Sequence, residues 1–236
     1  MGREGEWEPD AESWVRWARR PNFDAYWHYR DSFFDAVVPP PGRRTLEIGC
    51  GEGRVARDLL ARGHRVAAVD TSHTLLRYAR QEDSSASYAL ADSAALPFPD
   101  RHFDLAVSYN ALQVVADMAG TMREAARVLD RNGRLCACVA HPLTDLGRFT
   151  GHDPDAPLTM RRSYFERLRV HDTVQRDGLT MTFRGWTYTL EDYAIALEEA
   201  GLRIEAIREP RPIATSGGYE RWRQAPLFLS FRAIKS

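Results

Sequence analysis

The chain has 236 residues with 33 acidic and 32 basic side chains, a net charge of −1. That length suits one α/β domain with a full core, and the even balance, without a long basic run, gives no electrostatic footprint for nucleic acid. Three cysteines, an odd count, argue against a disulfide framework, and neither a signal peptide nor a membrane-spanning apolar run is evident, so a cytoplasmic protein without a membrane partner is expected.

Residues 1–40 read as a helical, aromatic-rich cap. Asp10 is placed to cap a helix that begins at Ala11-Glu12, with Trp14 and Trp17 three apart on one face. Pro21-Asn22 breaks it. A second helix, about Asp24–Val37, carries Tyr26, Trp27, Arg30 and Phe34 and stops at Pro39-Pro40-Pro41. Most of these aromatics are expected to pack on a sheet, with Tyr26 and Trp27 the candidates for a lid over a bound ligand.

Residues 41–141 form the expected binding core. Thr45-Leu46-Glu47-Ile48 is a short strand, and Gly49-Cys50-Gly51-Glu52-Gly53 leads from it into a helix, Arg54–Ala61, that ends at Gly63. Glycine at alternate positions lets another molecule approach the backbone, and the helix start offers unpaired N–H groups. The G-x-G-x-G spacing is neither the dinucleotide G-x-G-x-x-G nor a phosphate loop ending in G-K-[ST]. Glu47 would repel phosphate but could accept from an ammonium group, which favours a nucleoside with a cationic amino-acid tail.

Val66–Val69 is the next strand, ending in Asp70 with Thr71 and Ser72 after it. An acid at that strand end suits a ribose; its structural alternative is a cap for the helix that runs to about Gln81. Ser87–Leu90 is a third strand, followed by Ala91-Asp92-Ser93 and Leu96-Pro97-Phe98-Pro99-Asp100. A fourth, from Phe103-Asp104-Leu105-Ala106-Val107, exits through Ser108-Tyr109-Asn110-Ala111-Leu112-Gln113. Thr121–Leu129 is an amphipathic helix, and Asp130–Gly133 turns into a fifth strand, Arg134–Ala140, which ends at His141-Pro142.

Residues 142–188 depart from a plain core. Asp145–Leu158 reads as a mobile loop, and Val170–Gln175 with Leu179–Arg184 flank Arg176-Asp177-Gly178, a hairpin signal. Phe149, Tyr164, Phe165, Phe183 and Trp186 could line a pocket beneath such an insertion acting as a lid; the alternative is that the hairpin is a surface feature or a dimer contact. His152-Asp153 and His171-Asp172 read as solvated loop pairs, and no metal site is expected. Residues 189–236 supply a last helix, Thr189–Ala200, capped by Thr189 and ended by Gly201, then strands Leu202–Arg208 and Pro226–Ile234 around a loop at residues 210–218.

The glycine run behind Glu47, the A-D-x-x-x-L-P-F-P-D segment before F-D-L-A-V, and E-A-x-R-V-L-x-x-x-G-x-L before the fifth strand resemble, in order and spacing, class I S-adenosylmethionine-dependent methyltransferases of the bacterial small-molecule type. The resemblance is specific over residues 45–140 and 189–235. It implies a single domain with a doubly wound, Rossmann-like α/β fold, a seven-stranded mixed sheet with the last strand antiparallel. It also implies S-adenosyl-L-methionine as cofactor, leaving as S-adenosyl-L-homocysteine, and a small-molecule methyl acceptor, with the chain a monomer or homodimer. By the same resemblance Glu47, Gly49, Cys50, Gly51 and Gly53 hold the methionine end. Asp70 and Thr71 take the ribose, Asp92 and Ser93 the adenine, and Asn110 and Leu112 line the approach.

Relatives often carry a histidine where this chain has Gln113, and an amide cannot act as a base near neutral pH, although it can orient an acceptor. His141, at the next strand end, is the candidate base or orienter; the alternative is a histidine bonded to loop backbone. The Asn/Asp-Pro-Pro-aromatic loop used on DNA bases or glutamine is absent. A nicotinamide oxidoreductase is disfavoured by the glycine spacing and by Asp92, whereas a non-catalytic cofactor-binding module stays open because of Gln113.

Overall fold

The computed structural model describes residues 7–151, 153–213 and 219–236. Seven strands form one sheet: β1 (Thr45–Ile48), β2 (Val66–Asp70), β3 (Ser87–Leu90), β4 (Phe103–Tyr109), β5 (Leu129–Ala140), β10 (Leu202–Arg208) and β11 (Phe228–Lys235). Their order is β10-β11-β5-β4-β1-β2-β3, with β11 antiparallel to both of its neighbours and the other pairs parallel. The chain winds outward from β1 in one direction to β3 and in the other to β4 and β5. The switch between β1 and β4 opens a crevice at the carboxyl ends of these strands, where ligands of doubly wound sheets bind.

Helices cover both faces, as parallel strands buried on two sides require. On one side α5 (Met118–Val128) and α6 (Leu190–Glu199) pack over Leu46, Leu135 and Phe231. On the other, α2 (Tyr26–Ala36), α3 (Arg54–Ala61) and α4 (His73–Glu82) cover Leu105, Val107, Cys136 and Cys138. The alternate small residues of Cys136-Ala137-Cys138 let helices approach β5 closely from both sides. All three cysteines are free and buried.

The N-terminal α1 (Ala11–Ala18) lies against α4 and against a hairpin, β8 (Arg169–Arg176) and β9 (Leu179–Trp186). The hairpin turns at Asp177-Gly178, both with positive φ (47° and 78°), the backbone that a two-residue loop between right-twisted strands demands. Trp17, Phe23 and Met181 form a separate apolar cluster joining cap to hairpin, flanked by Trp14 and Phe183.

Four local expectations are corrected. Asp10 makes no capping bond; its carboxylate instead accepts from Arg184 Nε at 2.7 Å. Helix α5 starts at Met118 rather than Thr121, because Asp117 caps it by accepting from the Gly120 N–H at 2.7 Å. Strand β5 begins at Leu129, with Asn132 at φ 61° in an irregular stretch before the ladder. Within the stretch expected to be an irregular loop, β6 (Gly147–Phe149) pairs with β7 (Leu158–Met160). Thr189, by contrast, caps α6 in a full capping box with Asp192.

Candidate functional site

The crevice is built from the ends of β1, β2, β3 and β4. Both the Gly49 and Cys50 N–H groups donate to the Val69 carbonyl, at 2.9 and 3.0 Å, folding the glycine loop over the end of β2. The Gly51 N–H donates to Asp70 Oδ2 at 2.8 Å, and Ser72 N–H to Asp70 Oδ1 at 2.9 Å. Each carboxylate oxygen keeps a second lone pair for an outside donor. Gly49 has φ 73°, and a Cβ there would collide with that of Ala111, so the loops after β1 and β4 touch. Gly51 also has a positive φ, 55°.

Asp70 and Asp92 come from adjoining strand ends: Asp70 pairs with Leu90, and its carbonyl accepts from the Ala91 N–H at 3.0 Å. The Asp92 carboxylate is exposed and accepts from the Ala94 N–H at 2.9 Å through Oδ1, leaving Oδ2 to a ligand. Thr71 is exposed beside Asp70. The Ser93 hydroxyl is buried and bonded to Thr121 at 2.7 Å, so only its backbone can face the crevice. The same holds for Cys50 and Leu112, whose side chains are buried in the cores of opposite faces.

Glu47 is the feature that tests a ligand. Its side chain is 1% exposed, and Oε2 has no hydrogen-bond partner. Burial, then the charges of Asp70 and Glu52, push its carboxyl well above the usual range; Arg57 and Arg54 pull the other way. A buried acceptor without a donor is costly, and a cationic ammonium is the group that would relieve it. A cofactor offering an ammonium, ribose hydroxyls and an adenine amino group is donor-rich where Glu47, Asp70 and Asp92 are acceptors, so the chain fits it.

Glu52, between two glycines, was not singled out by sequence. Its side chain is fully buried, bound through both oxygens to Arg57 Nη2 (2.9 and 2.8 Å) and through Oε2 to Arg19 Nε (3.0 Å). Arg57 Nη1 also donates to the Glu52 carbonyl at 2.8 Å. The only sequence signal was an acid placed inside a glycine run; its partner just after α1 lies 33 positions away. Glu8, likewise missed, accepts from the Ser72 hydroxyl and from Thr74 Oγ1 at 2.7 Å.

On the acceptor side, the Asn110 N–H donates to the Cys138 carbonyl at 2.7 Å, and Asn110 has φ 54°. The Gln113 side chain lies 3.5 Å from Asn110 Oδ1 through Nε2, while its buried Oε1 has no partner. Trp186 N–H donates to the Gln113 carbonyl at 2.8 Å, and a Cβ on Gly185 would sit 2.8 Å from the same oxygen. The end of the hairpin is thus seated directly on this loop.

His141 does not offer a free nitrogen. Nδ1 accepts from the Leu143 N–H at 3.2 Å, which puts the proton on Nε2, facing Glu209 Oε1 at 2.9 Å. Burial pushes its pKa down, with Glu209 opposing. The Leu143 bond is that of the alternative reading, a histidine bonded to loop backbone, and with the Glu209 bond it also ties two loops together. For Tyr26 the lid expectation is corrected: it is 2% exposed, its hydroxyl donates to Asp58 on α3, and its ring meets Tyr109 edge-on at 5.2 Å. It is a core residue, held by packing. Trp27 is half-buried with its Nε1 unpartnered, under Arg30 at 5.2 Å. Among the described residues no group of three metal-ligating side chains occurs, and His152 lies outside them.

This strand order is that of the Rossmann-like methyltransferase fold. Residues 46–137 match the methyltransferase domain family. Demethylmenaquinone methyltransferase of Tropheryma whipplei is 28% identical over 180 residues, 75% of this chain and 73% of that protein. Malonyl-[acyl-carrier protein] O-methyltransferase of Salmonella typhimurium is 34% identical over 106 residues, 45% of this chain and 42% of that protein. An S-adenosylmethionine-dependent methyltransferase from Mesorhizobium loti superimposes with a TM-score of 0.71, at 24% identity over 90% of this chain and 98% of that one. Residues 46–137 thus carry a methyltransferase domain, and these likenesses support an S-adenosylmethionine-dependent methyltransferase with S-adenosylmethionine as cofactor.

Proposed function

We propose that the chain methylates a small molecule, with Glu47 and the glycine loop on the methionine end, Asp70 and Thr71 at the ribose, and Asp92 and the Ser93 backbone at the adenine. The observation that carries the acceptor class is the seating of the Gly185–Trp186 end of the hairpin on the Gln113 loop. Cap and hairpin are further joined by Asp10–Arg184 and by Arg176 Nη1, which donates to the Phe23 carbonyl at 2.5 Å. A transfer point walled on these sides favours a compact acceptor over a nucleic acid or a folded protein. The near-neutral net charge agrees with that, and the relative named for demethylmenaquinone is consistent with it.

Bound S-adenosylmethionine supplies a methyl group on a sulfonium, already a strong electrophile. The chain's own task is placement: the glycine loop admits the ligand to the backbone, the acids fix its polar ends, and the walls exclude water. Alignment of this kind contributes up to ~7–11 kcal/mol at best. Asn110 and Gln113 face the approach and would orient the acceptor, Gln113 Oε1 by accepting from its O–H or N–H.

Transfer of labelled methyl from S-adenosylmethionine to panels of phenols, amines and carboxylates, beside transfer RNA and peptides, tests the reading. Label in one small-molecule class is expected. Label in RNA or peptide alone would overturn the acceptor class, and cofactor binding without transfer to any panel would favour a non-catalytic module.

A further inference from the structure

We propose that Arg19 and Glu8 are positioning residues that hold the first helix as a strap over the two loops that grip the cofactor, and that this strap governs how fast the cofactor leaves. The β1–α3 loop carries the glycines and Glu52; the β2–α4 loop carries Asp70, Thr71 and Ser72. Glu8, just before α1, is bonded to Ser72 on the second of these and to Thr74 in the first turn of α4. Arg19, just after α1, is bonded to Glu52 in the first. Between those ends, Trp14 lies against the glycine loop: a Cβ on Gly51 would be 3.3 Å from its indole nitrogen. Eight helical residues span about 12 Å, enough to bridge from one loop to the other. A ligand held by Glu47, the glycines and Asp70 therefore sits beneath an element fastened at both ends to the segments that hold it.

The fastening at Arg19 is the stronger candidate for control. Its guanidinium also donates to the Tyr78 carbonyl at 3.0 Å, pairs with Glu82 at 3.0 Å and lies 5.4 Å from the centre of the Tyr78 ring, tying the glycine loop to α4 through one side chain. Arg19 remains part-exposed whereas Glu52 is buried. Removing Arg19 leaves Glu52 its two bonds from Arg57, so no bare buried charge is created. The packing of α1 through Trp17 and the Glu12 bonds to Arg77 and Tyr78 also stays. The helix loses a fastening without losing its place.

Dissociation of S-adenosylhomocysteine from the full chain, followed by stopped-flow fluorescence, tests this; the wild type is measured first. Arg19→Ala is expected to speed dissociation by about three- to tenfold, the usual range for one charged hydrogen-bonding contact, with the association rate within about twofold. Glu8→Gln should act in the same direction, and Arg19→Lys should fall between wild type and Arg19→Ala. Raising salt should speed release from wild type more than from Arg19→Ala. Equal dissociation rates in wild type, Arg19→Ala and Glu8→Gln, or a loss carried wholly by association, would overturn the strap. Failure of the wild type to bind S-adenosylhomocysteine would overturn the site itself, a separate result.

Discussion

Glu47 shows how a single carboxyl can report on the whole crevice. Held above its ordinary range by burial and by Asp70 and Glu52, it binds its proton more tightly folded than unfolded. Its contribution to stability is therefore full below the unfolded value of about 4.5 and is lost as pH rises through the folded one. Glu47→Gln mimics the protonated form, so without cofactor it should match wild type at low pH and become the more stable protein as pH rises; thermal melts across pH check this. An incoming ammonium favours the ionised carboxylate, so S-adenosylhomocysteine binding should release a proton. Calorimetry in buffers of different ionisation enthalpy would read it, and Glu47→Gln should remove it.

Asp70 belongs to the same scale. Because its oxygens also hold the Gly51 and Ser72 N–H groups, Asp70→Ala should abolish cofactor binding and loosen the glycine loop as well, lowering stability by about 1–3 kcal/mol. Retained binding in calorimetry would remove it from the site. The positions of these two acids and the glycines were legible because each sits at a strand end fixed by a local pattern. The Glu52–Arg19 pair was not, since nothing near either residue specifies a partner 33 positions away. For His141 the sequence offered the loop-backbone bond as one of two readings but not its other partner, since Glu209 lies 68 residues on.

At the scale of elements, strands β1 to β4, helix α3 and the hairpin followed directly from apolar runs, glycine and the Asp177-Gly178 turn. The early start of α5 did not, because Asp117 and Met118 carry no apolar rhythm and Gly120 disguised a first helical turn. The hairpin's seating on the Gln113 loop is a tertiary contact with a sharp consequence. Gly185→Ala should push the hairpin from the Gln113 carbonyl, costing roughly 1–3 kcal/mol, while S-adenosylhomocysteine affinity stays unchanged. Denaturant melts and calorimetry together check the split; a fall in cofactor affinity would show that hairpin and crevice are one unit. Thr189→Ala, which breaks the capping box of α6, should cost about 1 kcal/mol with no effect on binding.

For the whole molecule, the seven-stranded mixed sheet was expected through the family resemblance, but the placement of the cap was not. The aromatics of the N-terminal segment were expected to pack on a sheet, yet Trp17 and Phe23 pack on Met181 of the hairpin. The cluster of Trp17, Phe23 and Met181, with Trp17 and Phe23 at 4.6 Å between ring centres, joins residues more than 150 positions apart into one body. Trp17→Ala should therefore cost about 3–5 kcal/mol and lower the single melting transition by roughly 10 °C. A separate early transition of the cap in calorimetry would show that it folds on its own.

The engaged ring of His141 reaches beyond its own loop. With one nitrogen accepting from a backbone N–H and the other hydrogen-bonded to Glu209, this side chain offers no free nitrogen to a hydrogen released during methylation. Where no other side chain takes that hydrogen, the acceptor must bring its own acidity: a phenol would be turned over faster as alkalinity promotes its phenoxide, and a carboxylate would react at nearly constant speed across neutral solution. The shape of the rate against pH would thus identify the nucleophile before any crystal holds it.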